Sequence, residues 1–132
     1  MVVTFDTNAI LSATLWDGSV AQKLLHDLIM QNVKIYSSLE ILDEYQKVLK
    51  RDFDFSDEDV AEIMEKVLAF VTLVKLSMKV DVVKEDADDN IIIECALESN
   101  SKYIITYDPH LLKLKEYNGI QIIKPEIARA IF

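Results

Sequence analysis

Along the chain, short apolar runs alternate with longer stretches whose apolar residues recur at helical spacing. Residues 2–5 (VVTF) predict a buried strand. Residues 19–30 place Val20, Leu24 and Leu28 on one face and predict a helix. Residues 33–36 predict a second strand, and residues 37–50 a helix whose apolar stripe is Ile41, Leu42, Tyr45, Val48 and Leu49. Ser56-Asp57-Glu58-Asp59 is a capping run that opens a helix reaching about residue 70. Residues 73–83 are rich in β-branched side chains, which favours extended chain, but continued helix also fits them. A helix over 86–98, a strand over 103–106, a short helix from Asp108-Pro109, a strand over 120–123 and a last helix from Pro125 complete the pattern.

Strands and helices in this alternation specify an α/β fold, a three-layer sandwich with a central, mostly parallel sheet flanked by helices. No linker, repeat or low-complexity block interrupts it, so residues 1–132 are expected to form one domain. In such folds ligands collect at the carboxyl ends of strands. Asp6 and Asp108 both stand where a predicted strand ends.

Composition narrows the chemistry. The chain is 51% hydrophobic and 28% charged, which excludes a disordered protein, and two glycines and two prolines are too few for an all-β fold with many tight turns. Acidic residues number 23 against 14 Lys plus Arg, a net charge of -9. A protein that holds nucleic acid by charge alone is basic, so work on phosphates here needs a metal or a local basic patch. The single Cys95 cannot form an internal disulfide, which fits a reducing cytoplasm, and with His26 and His110 far apart no zinc motif is legible. The N-terminus reaches Asp6 too soon for a signal peptide. No apolar run approaches the roughly 20 residues that span a bilayer.

Each candidate carboxylate has a structural and a chemical reading. Asp6-Thr7-Asn8 is either a turn or cap after the strand or a metal-binding Asp supported by a hydroxyl and an amide. On the helix over 37–50, Asp43 points away from the apolar stripe, whereas Glu44 sits at its edge beside Val48 and can hang over a cleft. Glu40 lies three residues after Ser37, the capping-box spacing, and so has a structural role already. Asp86, Asp88 and Asp89 crowd one helix start, where acids are favoured electrostatically. Asp88 and Asp89 are expected over the apolar face of Ile92, Cys95, Ala96 and Ser99, with Glu94 and Glu98 solvated on the other side. Asp108 before Pro109 is a helix cap or a site residue. If these elements converge, the acids meet at one sheet edge. Like charges in a cleft raise each other's pKa and call for protons or a cation. Hard carboxylate oxygens suit Mg²⁺ or Mn²⁺, which can orient a phosphodiester and neutralise its charge.

Four segments carry a resemblance: Phe5-Asp6-Thr7-Asn8 with Leu11-Ser12; Ser38 to Glu44 with Val48-Leu49; Asp86 to Asn90; and Tyr103 to Asp108 with His110-Leu111-Leu112. In this order the sequence resembles PIN-domain proteins, close to the VapC-like toxin components of bacterial and archaeal toxin–antitoxin systems. The resemblance implies a metal-dependent ribonuclease of single-stranded RNA on a PIN-like fold. By it, Asp6, Glu44, Asp89 and Asp108 form the acidic site, and Asp6, Asp89 and Asp108 hold Mg²⁺ or Mn²⁺. Asn8 supports Asp6, Thr106 sits beside the metal, and Asp86 is an accessory. A water oriented by Glu44 attacks in line and leaves 5′-phosphate and 3′-hydroxyl ends. The resemblance also implies a cognate antitoxin with basic groups that reach the acidic pocket, and a homodimer built on apolar residues of the first two helices. Tyr107 stands where many relatives have a small residue, and so would narrow the approach to the site.

Lys47 and Arg51 lie on the same helix side as Glu44 and are candidates to hold flanking RNA phosphates, unless they only offset the helix dipole. His110 and Lys113 are further candidates of that kind, and Trp16 serves packing, an interface or base stacking. Two other classes compete. A phosphoacceptor receiver domain would use Thr106 and Lys124-Pro125, but it needs paired acids after the first strand, where Asp6 is alone. A catalytically silent module of the same fold would act through a partner alone, although all four acids are present.

Overall fold

A computed structural model describes residues 1–132. The chain runs β1 (Val2–Phe5), α1 (Thr7–Leu15), α2 (Val20–Met30), β2 (Lys34–Ser37), α3 (Leu39–Phe53), α4 (Asp57–Leu68), β3 (Val71–Leu73), α5 (Ala87–Glu98), β4 (Tyr103–Ile105), α6 (Pro109–Leu112), β5 (Glu116–Tyr117), β6 (Ile120–Ile123) and α7 (Pro125–Ile131). One sheet has the order β3-β2-β1-β4-β6-β5, parallel except for the antiparallel β5–β6 pair. The expected α/β sandwich with a mostly parallel sheet is what forms. No helix is long and apolar enough to cross a membrane.

Right-handed crossovers put α1 to α4 on one face of the sheet and α5 on the other. The alternation within β1 agrees. The Thr4 hydroxyl lies 3.9 Å from Cys95 Sγ of α5 and 2.8 Å from Ser101 Oγ. Val3 and Phe5 point the opposite way into the apolar core, with Ile10, Leu24 and Leu49 among its fully buried members. From β1 the chain moves outward through β2 and β3; from β4 it moves outward the other way. The topology therefore switches between β1 and β4, and a crevice opens beyond their carboxyl ends.

Several local expectations change. Ser38 caps α3, accepting the Ile41 N–H at 3.2 Å, so Glu40 closes no capping box with Ser37. Ser37 is committed to the sheet, paired with Leu73 in the β2–β3 register. Residues 73–83 form no helix. Beyond β3 the chain is an irregular strap held by polar side chains of α5. Asn90 accepts from the Val82 and Val83 N–H groups, each at 2.9 Å, and donates to the Val83 carbonyl at 2.9 Å. Glu94 accepts from the Val80 N–H at 3.0 Å, and Glu98 from the Ser77 N–H at 2.9 Å. Glu94 is thus buried rather than solvated, whereas Glu98 stays at the surface while it binds the strap; both accept from strap amides that would otherwise lie against the helix unpaired.

Candidate metal centre

The β1–β4 register pairs Phe5 with Ile105, so the next residues, Asp6 and Thr106, leave the sheet side by side. The Asp6 N–H also bonds the Ile105 carbonyl at 3.1 Å. Asp6 is the N-cap of α1: Oδ1 accepts the Ala9 N–H at 2.8 Å. Its Oδ2 accepts from the Thr106 hydroxyl, whose oxygen in turn accepts the Asp108 N–H at 2.9 Å. One buried threonine thus ties together the two acid-bearing strand ends. Asp108 caps α6, accepting the His110 N–H at 2.7 Å. Asp86 caps α5, accepting the Asp88 N–H at 3.0 Å.

These groups border one cleft of about 410 Å³, lined by residues of α1, α3 and α5, by the caps Asp6 and Asp86, and by Asp108. It brings together Asp6, Asn8, Glu44, Asp86, Asp89 and Asp108, while Thr106 lies fully buried beneath Asp6. Glu44 is half-buried at the edge of the α3 stripe, where its spacing put it. Asp88 does not share the buried position of Asp89; it borders the cleft but is exposed. Glu40 and Asp43 also reach the cleft, although the sequence pattern gave each another place.

Lys47 and Arg51 line the cleft as well, yet each is already paired. Lys47 Nζ is 3.3 Å from Asp43, and Arg51 Nε is 2.8 Å from Asp52. Nine acidic residues line the cleft against these two cations. Tyr107 does not narrow the entrance: its hydroxyl donates to Glu126 of α7 at 2.6 Å, and it is not among the lining residues. Lys113 pairs with Glu85 away from the cleft. Trp16 packs edge-on against Phe53, centroids 5.8 Å apart. Lys124, which the receiver reading would place at the site, is the N-cap of α7 and does not line the cleft.

The crowding of charge is visible in proton affinities. The Asp6 carboxyl is raised to about 6, chiefly by burial, against the opposing hydrogen bonds from Thr106 and Ala9. Asp89 is raised further, to about 8, by burial first and then by the charge of the neighbouring Asp108 carboxyl. Asp89 is 7% exposed, and its Oδ2 has no hydrogen-bond donor. A buried carboxylate oxygen without a partner costs free energy unless a proton or cation fills the place. Sequence reasoning missed the position of His110. Its Nδ1 is 3.9 Å from Asp89 Oδ2 and 3.8 Å from Asp108 Oδ1, and the three side chains offer ligand atoms within 4.8 Å of one another. The signal lay in the spacing, two residues beyond the cap of a single helical turn, which turns the imidazole back over Asp108.

Solved structures share this architecture. A chain of VapBC2 from Rickettsia felis, solved bound to a DNA fragment from its promoter, superposes with a TM-score of 0.70 at 16% identity, covering 94% of this chain and 98% of that one. A chain of VapBC-1 from nontypeable Haemophilus influenzae gives 0.67 at 17% identity, covering 96% and 99%. No curated protein matches the sequence. The family model described as PIN domain matches residues 2–110, so that the sequence itself, beyond the shape it folds into, makes this chain a member of the PIN domain family.

Proposed function

We propose that the protein is a divalent-metal-dependent ribonuclease that hydrolyses single-stranded RNA, and that it is the toxin of a toxin–antitoxin pair. The observation that carries this reading is the convergence of Asp6, Glu44, Asp89 and Asp108 on one cleft, with a buried Asp89 oxygen left without a donor. The donor set fits Mg²⁺ or Mn²⁺, being mostly hard carboxylate oxygens. Asp6, Asp89 and Asp108 would hold the ion. When bound, it would supply positive charge against the scissile phosphate and lower the pKa of water at the site. Asn8 and Ala9 offer backbone N–H groups that favour the ionised form of Asp6. Thr106 fixes the Asp6 carboxylate by donating to Oδ2. Glu44, half-buried on the opposite wall, orients the attacking water and accepts its proton. Attack at phosphorus breaks the bond to the 3′ oxygen, which leaves as a hydroxyl, and the phosphate stays on the 5′ end of the downstream fragment.

The likeness to chains of VapBC assemblies supports a cognate antitoxin as partner. Basic side chains from it would enter the acidic cleft and compete with metal. A homodimer would use Trp16, Ile29 and Met30 of the first two helices, which stay exposed. Cleavage of a single-stranded RNA in Mg²⁺ or Mn²⁺ tests the activity. Asp6→Asn and Asp89→Asn should each abolish it and leave the far-ultraviolet circular dichroism unchanged. Cleavage surviving in both variants overturns the site.

A further inference from the structure

We propose that His110 is a direct metal ligand, so that the site takes a first-row transition-metal ion in preference to Mg²⁺. This rests on the metal-site reading above and goes further by fixing the ion's class. Three observations point the same way. His110 Nδ1 faces two carboxylates of different elements, Asp89 Oδ2 at 3.9 Å and Asp108 Oδ1 at 3.8 Å. Asp89 Oδ2 is buried and has no hydrogen-bond donor, so neither the imidazole nor any amide satisfies it. The imidazole sits on the first turn of α6, whose cap is Asp108 itself; the His110 N–H is bonded to that carboxylate at 2.7 Å. The backbone thus holds ring and carboxylate in one rigid unit against Asp89.

The separations match a shared ion better than a direct bond. At 3.8 and 3.9 Å the nitrogen is too far from either oxygen to hydrogen-bond it well. An ion about 2.1 Å from each donor spans ligand atoms about 3 to 4 Å apart, which these pairs satisfy with little movement. Ligand chemistry then selects the metal. Carboxylate and water suit Mg²⁺, whereas imidazole adds affinity for first-row transition ions, increasingly from Mn²⁺ to Co²⁺. Loss of outer partners that only orient a ligand costs 10–100-fold in affinity, and loss of the ligand itself should cost no less.

The test uses the full chain, freed of metal with EDTA, and measures binding of Mg²⁺, Mn²⁺ and Co²⁺ by calorimetry in the protein and in His110→Gln. The expected pattern is graded: about a hundredfold loss for Co²⁺, about tenfold for Mn²⁺ and less than about threefold for Mg²⁺. Pulsed electron paramagnetic resonance of the Mn²⁺ form should show coupling to one imidazole nitrogen, lost in His110→Gln. His110 is partly exposed, so the variant should keep the fold, which circular dichroism checks. Metal bound without nitrogen coupling, or with equal losses for all three ions, overturns the ligand role and leaves the metal site standing. No binding of any of the three ions, in the unaltered protein, overturns the metal site itself.

Discussion

Replacing Asp89 with Asn should make the metal-free protein more stable at neutral pH. Asp89 is buried, lacks a donor at Oδ2 and faces Asp108, and its carboxyl is raised from 3.8 to about 8. A raised pKa means that the folded chain binds the proton more tightly than the unfolded one. The stability contributed by that proton is complete below the unfolded value, near pH 4, and is lost as pH rises through the folded value. The window therefore runs from about pH 4 to 8, and within it each pH step removes up to about 1.4 kcal/mol. At pH 7 the full loss would be about 4 kcal/mol, and we expect about 2 kcal/mol or more once water in the open cleft screens part of the charge. Asparagine keeps the shape and does not titrate. Urea unfolding in EDTA, followed by circular dichroism and by fluorescence of Trp16, the only tryptophan, reads the difference. Asp89→Asn should exceed the parent by about 2 kcal/mol or more at pH 7 and by no more than about 1 kcal/mol at pH 4.5. Equal stabilities at both pH values, or a variant weaker at both, would refute the crowding of charge at this site.

Other consequences follow from single contacts. Glu44→Gln should cut the RNA cleavage rate by at least about a hundredfold while divalent-ion binding by calorimetry stays within about twofold, because Glu44 is assigned to the water and not to the ion. Thr106→Val should lower stability by about 1 to 3 kcal/mol in urea unfolding, since it strips a donor from Asp6 Oδ2 and an acceptor from the Asp108 N–H. Asn90→Ala should cost about 2 to 4 kcal/mol and speed amide exchange at Val82 and Val83, whose N–H groups both lose their acceptor. Tyr107→Phe should leave cleavage unchanged in the same RNA assay, because the lost hydroxyl bonds Glu126 outside the cleft.

The parallel core was legible because its strands are apolar runs and its longer helices carry clear stripes. What escaped had no such pattern. Helix α1 (TNAILSATL) is polar at its start and buried at Ala9, Ile10, Leu11 and Ala13, so no one-sided stripe marks it. Strands β3 and β5 are three and two residues long, below the length at which alternation can be seen. The burial of Glu94 depends on the Val80 amide, 14 residues upstream in a strap with no periodic signature. Within the site, Asp6 and Asp108 were visible as strand-end acids, and Glu44 as a stripe-edge acid. Asp88 and Asp89 are adjacent on one helix turn, so only the packing against Asp108 and His110 distinguishes the buried one.

Helix cap and site residue were opposed readings of Asp6, Asp86 and Asp108 in the sequence; the fold makes them compatible. A carboxylate has two oxygens and about four lone pairs. Asp6 gives Oδ1 to the Ala9 N–H, Asp108 gives Oδ1 to the His110 N–H, and Asp86 gives Oδ1 to the Asp88 N–H. Each bond anchors the side chain and brings the positive end of a helix or turn towards it. Acceptor capacity remains on all three for the cleft. The caps thus do two things: they fix where the acids point, and they offset part of the repulsion that nine carboxylates create when only two paired cations stand among them. Asp89 is the member that no cap satisfies at Oδ2, and it is there that an ionised oxygen would be hardest to keep. The two cations of the lining are held in exposed surface pairs with Asp43 and Asp52, so the lining as a whole stays acidic towards anything that approaches it.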